Sequence, residues 1–429
     1  MTVQSTTTIT RLEHVPTSMT DRSDAADAAD ETPSIAPDEL SERLQSGDPM
    51  TVLDVRDRDE FERWHLTGDG IEAVQIPHMK VVQAQATGDV TDLVTDLEEP
   101  ILAVCGHGEA SAHAVDLLRD AGLDAANLAG GMDAWADLYR VRELDVDAPA
   151  RVLQYDRPSS GCLAYAIYSG GEAAVIDPLR AFADRYDADA TDRDAALTYA
   201  IDTHVHADHV SGVRALADRT DATAVVPDGA TERGLTFDAM TIGDAAERSS
   251  ASPASHTRQD AVDELRIGDV TLTVLATPGH TTESISLRLE GGDSPILFTG
   301  DTLFLEGVGR PDLERGDDGA AAAAGQLYET LRTRLLEHPD ETTVAPGHYS
   351  DAAEPRDDGT YAARLGTLRD RLDALSMDDA AFVAHATSEL PPRPSNYDRI
   401  VAANLGLEDV DADTAFELEL GPNNCAVAD

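Results

Sequence analysis

Short apolar runs ending in glycine- or histidine-bearing turns recur along this chain and mark out strands alternating with helices. D-E-L-S-E-R-L, from Asp38, opens a helix behind Pro37, and Val52 to Val55 then reads as a buried strand. Ile101 to Val104 is another such strand, followed through Cys105 and G-H-G-E-A-S by a helix from Ala112 to Ala121. Strand-like segments come next at Arg151 to Tyr155, Leu163 to Tyr168 and Ala173 to Asp177, with the pair Gly170-Gly171 as a hairpin turn between the last two. Leu197 to Ile201 predicts a strand and Val210 to Arg219 a helix. The alternating residues of Leu265 to Ala276, then Ser284 to Leu289, Ile296 to Thr299 and Thr343 to Ala345, predict further strands, and Gln326 to Leu336 a helix. The pattern is that of an α/β protein.

Three stretches fall outside it. Met1 to about Pro33 is rich in Thr, Ser, Ala and Asp without an apolar period and reads as an acidic disordered tail, within which Met19 offers an alternative start. Asp145 to Ala150 is an acidic, small-residue connector. Gly243 to Asp263 reads as an inserted surface loop whose His256 is solvated. The partition that follows is a tail at 1–33, a first domain at 34–146, a second at 151–355, and a helical extension and tail at 356–429.

Composition narrows the partners. Acidic residues number 82 against 32 basic ones, a formal charge of -50, and Lys80 is the only lysine. Nucleic acid and anionic membrane are poor partners for such a surface. Self-repulsion of this size is tolerable where salt screens charges within roughly 3 Å, as near molar concentration. The expected setting is a halophile's cytoplasm, with the dispersed Asp and Glu serving solvation. No apolar run approaches the roughly 20 residues a membrane helix needs, and no basic region precedes an apolar one at the N-terminus, so a soluble, unexported protein is expected. Three scattered cysteines make no disulfide framework. Cys162 reads as packing and Cys425, in the acidic tail, as incidental.

Two stretches carry chemistry. Cys105 sits at a strand-to-helix turn with Gly106, His107, Gly108, Glu109 and Ala110 after it, where converging backbone N–H groups and a helix N-terminus stabilise a thiolate or a persulfide anion. The second is D-T-H-V-H-A-D-H-V-S-G, Asp202 to Gly212. Alternate residues of an extended segment point the same way, so His204 and His206 can close on one metal, with Asp208 and His209 turned to a neighbouring position. Three later strand ends add T-P-G-H-T with His280, G-D-T with Asp301 and P-G-H with His348. Four strand ends delivering nitrogen and oxygen ligands point to a metal site suited to Zn, Fe or Mn.

The first domain resembles rhodanese-type sulfurtransferases through V-L-D-V-R-D-R-D-E-F, with Asp54, Arg56, Glu60 and Phe61, and through L-A-G-G-M-D-A-W, Leu128 to Trp135. The resemblance implies a three-layer α/β/α fold and a sulfur-carrying Cys105. Gly106 and Ala110 stand where many members have arginines, with Glu109 beside them, so persulfide formation is expected and thiosulfate binding is not. The second domain resembles the metallo-β-lactamase fold superfamily through H-x-H-x-D-H, the two later G-H turns and the G-D turn, which implies an αββα sandwich.

Two branches of that superfamily remain open on the ligands alone. Resemblance to glyoxalase II implies two Zn(II) ions, one on His204, His206 and His280, one on Asp208, His209 and His348, with Asp301 bridging, and hydrolysis of a thioester. Resemblance to the persulfide dioxygenases implies one Fe(II) on His204, His280 and Asp301, with His206, Asp208, His209 and His348 around it. G-R-P-D, Gly309 to Asp312, and P-P-R-P-S-N-Y-D-R-I, Pro391 to Ile400, resemble the dioxygenase branch, and imply an Arg310 contact to a substrate carboxylate. Joining a sulfur-carrying cysteine to such a site brings a shared intermediate to both. The expected reaction is oxidation of a low-molecular-weight thiol persulfide by O2 to sulfite and thiol, with Cys105 exchanging sulfane sulfur. The alternative for the first domain is a docking module with an inactive Cys105. The identity of the thiol and the oligomeric state, a homo-oligomer included, stay open.

The charge reading has a direct consequence. Circular dichroism should show the fold melting at low temperature in salt of tens of millimolar and stabilising steeply toward molar salt. An unchanged melting point across that range overturns the halophile expectation.

Overall fold

A computed structural model describes residues 32–428 except 69, 89, 244–262, 291–293 and 389. The acidic tail through residue 31 and the loop bearing His256 therefore lie outside the described residues. In the first domain a parallel sheet runs in the order Ser34–Ile35, Ala125–Leu128, Ile101–Val104, Met50–Asp54, Ile71–Gln75. The central strand Ile101–Val104 is wholly apolar and buried because helices cover both faces of the sheet. Leu53, Ile101 and Ala103 pack with Val81, Ala114 and Leu118 on one side, while Val52, Leu102 and Val104 pack with Leu40, Met132 and Trp135 on the other. The helix after Cys105 begins at Glu109, one turn earlier than its apolar period predicts.

The second domain stacks two mixed sheets. One runs Met240–Ile242, Thr223–Pro227, Ala196–Ile201, Glu172–Ile176, Cys162–Ser169, Arg151–Arg157, Arg140–Glu143. The other runs Glu264–Ile267, Val270–Ala276, Ile285–Leu289, Ile296–Gly300, Thr343–Pro346, Ala363–Arg364. Alternation decides the layers. Leu163, Tyr165 and Ile167 face the other sheet's Leu272, Leu287 and Phe298, while Ala164 and Ala166 face outward, in one cluster with Tyr186 of helix Ala183–Thr191 and Leu216 of helix Val213–Arg219. The run Leu265 to Ala276, read as one strand, is a hairpin that reverses at Gly268 and Asp269. Residues 140–143 pair with 153–156, so the second domain's sheet begins before the acidic connector placed at its boundary.

Helices Leu365–Arg371, Asp379–Thr387, Tyr397–Asn404 and Ala412–Leu418 form the C-terminal extension. It returns to the sandwich, where Ala426–Ala428 pairs antiparallel with Gly307–Gly309. One buried ion pair joins all three parts. Arg157 and Glu419 meet at 2.7 Å with both side chains 1% exposed. Arg157 Nε also donates to the Ala136 carbonyl of the first domain, and Glu419 accepts from the Val210 N–H directly after His209. Among the described residues no helix is long and apolar enough to cross a membrane.

Removing one member of that pair strands the other charge in the interior. Glu419→Ala should lose roughly 3–5 kcal/mol in urea denaturation at high salt, and Arg157→Met with Glu419→Leu should recover part of it. A loss below about 1 kcal/mol for the single variant would show that the pair contributes little.

Candidate metal centre and sulfur loop

The described ligand-type residues lie just past strand ends, where the sheets stop supplying backbone partners. Strand Ala196–Ile201 leads to His204, His206, Asp208 and His209; Val270–Ala276 to His280; Ile296–Gly300 to Asp301; Thr343–Pro346 to His348. Gly300, at φ +48, makes the turn into Asp301 possible, since a Cβ there would meet Thr203 Oγ1 at 2.4 Å.

His204, His280 and Asp301 present Nε2, Nε2 and Oδ2 to one another. Asp301 Oδ2 lies 3.6 Å from His204 Nε2 and 3.5 Å from His280 Nε2, and all three atoms are buried without a hydrogen-bond partner. Their protonation follows from their neighbours. Thr203 Oγ1 gives its proton to Asp177 Oδ2 at 2.9 Å, so it accepts from His204 Nδ1 at 3.0 Å. The His280 Nδ1–H donates to the Arg310 carbonyl at 2.9 Å. Both Nε2 atoms therefore carry lone pairs. Burial holds both imidazoles below their ordinary pKa. Burial alone would raise Asp301, but His348, His204 and His280 overcome it and hold the carboxylate ionised. Two lone pairs and an anion converging in a dry site is a donor set that fits a divalent cation.

The remaining residues form an adjoining cluster. His348 donates from Nδ1 to Asp301 Oδ1 at 2.6 Å and from Nε2 to Asp208 Oδ2 at 2.7 Å. The same Asp208 oxygen accepts from His209 Nδ1 at 3.1 Å and from the Cys162 thiol at 3.3 Å. His206 does not turn its Nε2 toward the His204 group, as strand alternation would have it. Past the strand end at Ile201 it gives Nε2–H to Asp177 Oδ1 at 3.2 Å, and its buried Nδ1 has no partner. Asp208 Oδ1 and His209 Nε2 are likewise buried without partners.

Three sequence readings are corrected here. The Arg310 guanidinium, expected to meet a substrate carboxylate, is 1% exposed and spent on Asp312 (2.7 and 3.0 Å) and on the carbonyls of Pro392 and Asn424. Arg310 positions His280 through its backbone carbonyl instead. Cys162 is more than packing, because it opens its strand beside His348 and bonds Asp208. Cys425 is fully buried within 4.8 Å of the nearest donor atoms of Asp301 and His348. No local spacing signals either cysteine, since their partners are far away in sequence. Asp177 was also missed, although a non-glycine residue at φ 49 between a strand and a proline is an unusual place for an aspartate.

In the first domain Cys105 Sγ accepts from the Gly108 N–H at 3.1 Å, the Ser111 N–H at 3.4 Å and the Ser111 hydroxyl at 3.1 Å. Such a cradle suits a sulfur anion. The glycine pair of L-A-G-G-M-D-A-W supports the loop from below. The Met132 and Asp133 N–H groups hold the Cys105 and Gly106 carbonyls at 2.8 and 3.0 Å, and a Cβ on Gly131 would meet the Cys105 oxygen at 2.4 Å. Within the loop, Ala110 falls inside the first turn of the helix that Glu109 starts, and His107 is exposed and pairs with Asp133 at 2.6 Å.

Family comparison agrees with both halves of this geometry. Residues 36–138 match the rhodanese-like domain and residues 158–348 the metallo-beta-lactamase superfamily. The chain is a rhodanese-like domain followed by a metallo-β-lactamase domain. An uncharacterized protein of Mycobacterium leprae is 40% identical over 86 residues, 20% of this chain and 36% of that protein. The chain thus spans little more than a third of the first curated relatives it matches. The hydroxyacylglutathione hydrolase of Brucella ovis is 28% identical over 190 residues, 42% of this chain and 68% of that enzyme. The crystal structure of ETHE1 from Myxococcus xanthus is 31% identical, covering 59% of this chain and 97% of that one, with a TM-score of 0.48. The metallo-β-lactamase domain places this chain in a metallo-β-lactamase-fold enzyme family, and its clustered His and Asp residues are ones that could hold a metal ion.

The bond from Thr203 to His204 gives a test that does not depend on the reaction. Thr203→Val should lower metal affinity roughly 10–100-fold in a chelator competition while the fold is retained, because the His204 tautomer is no longer fixed. Unchanged affinity would show that the hydroxyl does not set it.

Proposed function

We propose that the metallo-β-lactamase domain oxidises a low-molecular-weight thiol persulfide, and that the rhodanese-like domain exchanges sulfane sulfur with the same thiol through Cys105. The observation that carries this reading is the separation of the donor groups into two unequal sets. His204, His280 and Asp301 offer three free donors to one point, two imidazoles and one carboxylate, as mononuclear non-haem iron sites do. The neighbouring set is knitted together through the Asp208–His348–Asp301 chain of hydrogen bonds.

Fe(II) held by these three residues would supply the one-electron chemistry that lets O2 react with a closed-shell persulfide. The balanced reaction is RSSH + O2 + H2O → RSH + H2SO3, in which the sulfane sulfur gives four electrons to O2 and sulfite forms by loss of two protons. The protein's own part is positional. Thr203 and the Arg310 carbonyl keep the two Nε2 lone pairs free, and near-complete burial of the ligands excludes bulk water. His348 holds protons on both nitrogens between Asp301 and Asp208, so Asp301 keeps one oxygen engaged and the other free. At the other domain the Gly108 and Ser111 donors stabilise a sulfur anion on Cys105 while a thiol attacks or leaves.

A second reading is a binuclear zinc thioester hydrolase, favoured by the unpartnered Asp208 Oδ1 and His209 Nε2 beside the first donor set and by the hydroxyacylglutathione hydrolase likeness. Metal analysis with oxygen uptake separates the two. Protein purified under reducing, high-salt conditions should hold about one iron per chain and consume one O2 per sulfite formed. Two zinc ions with thioester hydrolysis would overturn the oxidation reading. Cys105→Ser should keep oxygen uptake on preformed persulfide and abolish sulfur transfer to free thiol; unchanged transfer would reduce the first domain to a docking module.

A further inference from the structure

The donors of the metal centre are shut away from water. The His204, His280, Asp301 and His348 side chains are at most 2% exposed. A cleft of about 820 Å³ opens between the two domains, wide enough for a small molecule, and none of those four residues lines it. Its wall includes Asn423, Asn424, Ala426 and Val427. Cys425, in their midst, is fully buried, with its thiol within 4.8 Å of donor atoms of Asp301 and His348. Residues 422–427 therefore form a partition a single segment thick, with the cleft on one side and the donors on the other.

That partition is anchored at one end and lightly held along its length. Upstream of it, after helix Ala412–Leu418, Glu419 closes the buried pair with Arg157 and fixes the chain. Gly421 follows at φ +124, and a Cβ there would meet nothing within 4 Å, so the backbone has both the freedom and the room to turn. Beyond Gly421, among the described residues, only Cys425 and Val427 are buried. Hydrogen bonds supply the rest of the hold. Ala426–Ala428 pairs with Gly307–Gly309, the Arg310 N–H and guanidinium donate to the carbonyls of Cys425 and Asn424 at 3.0 and 2.9 Å, and Asn423 Nδ2 donates to the Ser160 carbonyl at 2.5 Å. A segment with so little apolar burial is of the kind that opens locally while the remainder of a fold stays closed. We propose that residues 422–428 are a gate that pivots at Gly421, and that its opening joins the interdomain cleft to the metal centre and admits both the metal ion and the small-molecule substrate. Gly309, on the strand that receives the gate, lies against Asp301 and His280 with no room for a Cβ, so the closed gate also steadies two of the donors. The inference rests on the proposed reaction only in that a substrate has to reach the donors; the closure stands without it.

Val308 and Val427 are partners across the two strands, a spacing that a disulfide can bridge. Full-length protein carrying Val308→Cys with Val427→Cys would be loaded with Zn(II) while reduced and then oxidised, the link being verified by peptide mass, and the rate at which EDTA strips the zinc followed. The locked form should release zinc about tenfold more slowly than the same protein reduced, because release then waits on an opening that the link forbids. Equal rates overturn the gate. Both substitutions fall at buried positions, so a second variant keeps the test open should the first not fold. Asn423→Ala frees the segment from Ser160 and should speed zinc release several-fold; release no faster than that of the wild type overturns the proposal. Gated zinc release in a protein that consumes no O2 with persulfide keeps the gate and removes the oxidation reading. Oxygen uptake together with zinc release indifferent to the lock and to Asn423→Ala does the reverse.

Discussion

The structure turns on three donor atoms that have been taken out of water and given nothing to bond. His204 Nε2, His280 Nε2 and Asp301 Oδ2 face each other in a dry pocket. A desolvated carboxylate beside two lone pairs is costly without a cation. The surroundings are arranged to keep these atoms in that condition. Thr203 and the Arg310 carbonyl occupy the other ring nitrogens, and His348 occupies only the far oxygen of the carboxylate. Each of these partners is itself held, Thr203 by Asp177 and Arg310 by Asp312 and two carbonyls. The rigidity of the site is therefore a property of its supports more than of its ligands.

Much of this was legible in the order of residues. Wholly apolar runs such as Ile101–Val104 announce strands buried on both faces, and the alternation along Cys162–Ser169 announces which residues meet the opposing sheet. The ligand-type residues were visible because strand ends are where side chains leave the ladder, and because histidine is scarce here. What stayed hidden are interactions between distant segments. Cys162 meets Asp208 across 46 positions and Arg310 meets Asn424 across 114, with no local pattern to connect them. Arg310 shows the limit best. Its place beside a ligand loop was evident, but the direction of its side chain, away from the pocket and into the C-terminal segment, depends on a chain end that returns from far away.

The two domains are coupled by more than a connector. The strand Arg140–Glu143 leaves the first domain and enters the second domain's sheet, and Arg157 with Glu419 ties the first domain's last helix to the backbone beside His209. In a chain carrying a formal charge of -50, a buried ion pair with its hydrogen bonds complete is a local exception to the general repulsion. It ties the first domain's Ala136 and the backbone beside His209 to one buried point.

The strand Ala426–Ala428, laid against Gly307–Gly309 with Cys425 beside Asp301 and His348, bears on how the protein is made. Synthesis proceeds from the N-terminus, so every ligand leaves the ribosome before the segment that covers them. An ion arriving at the nascent polypeptide meets an open cage, and one arriving after release meets a covered one. The last residues to be made are thus the ones that close over the cluster of donors.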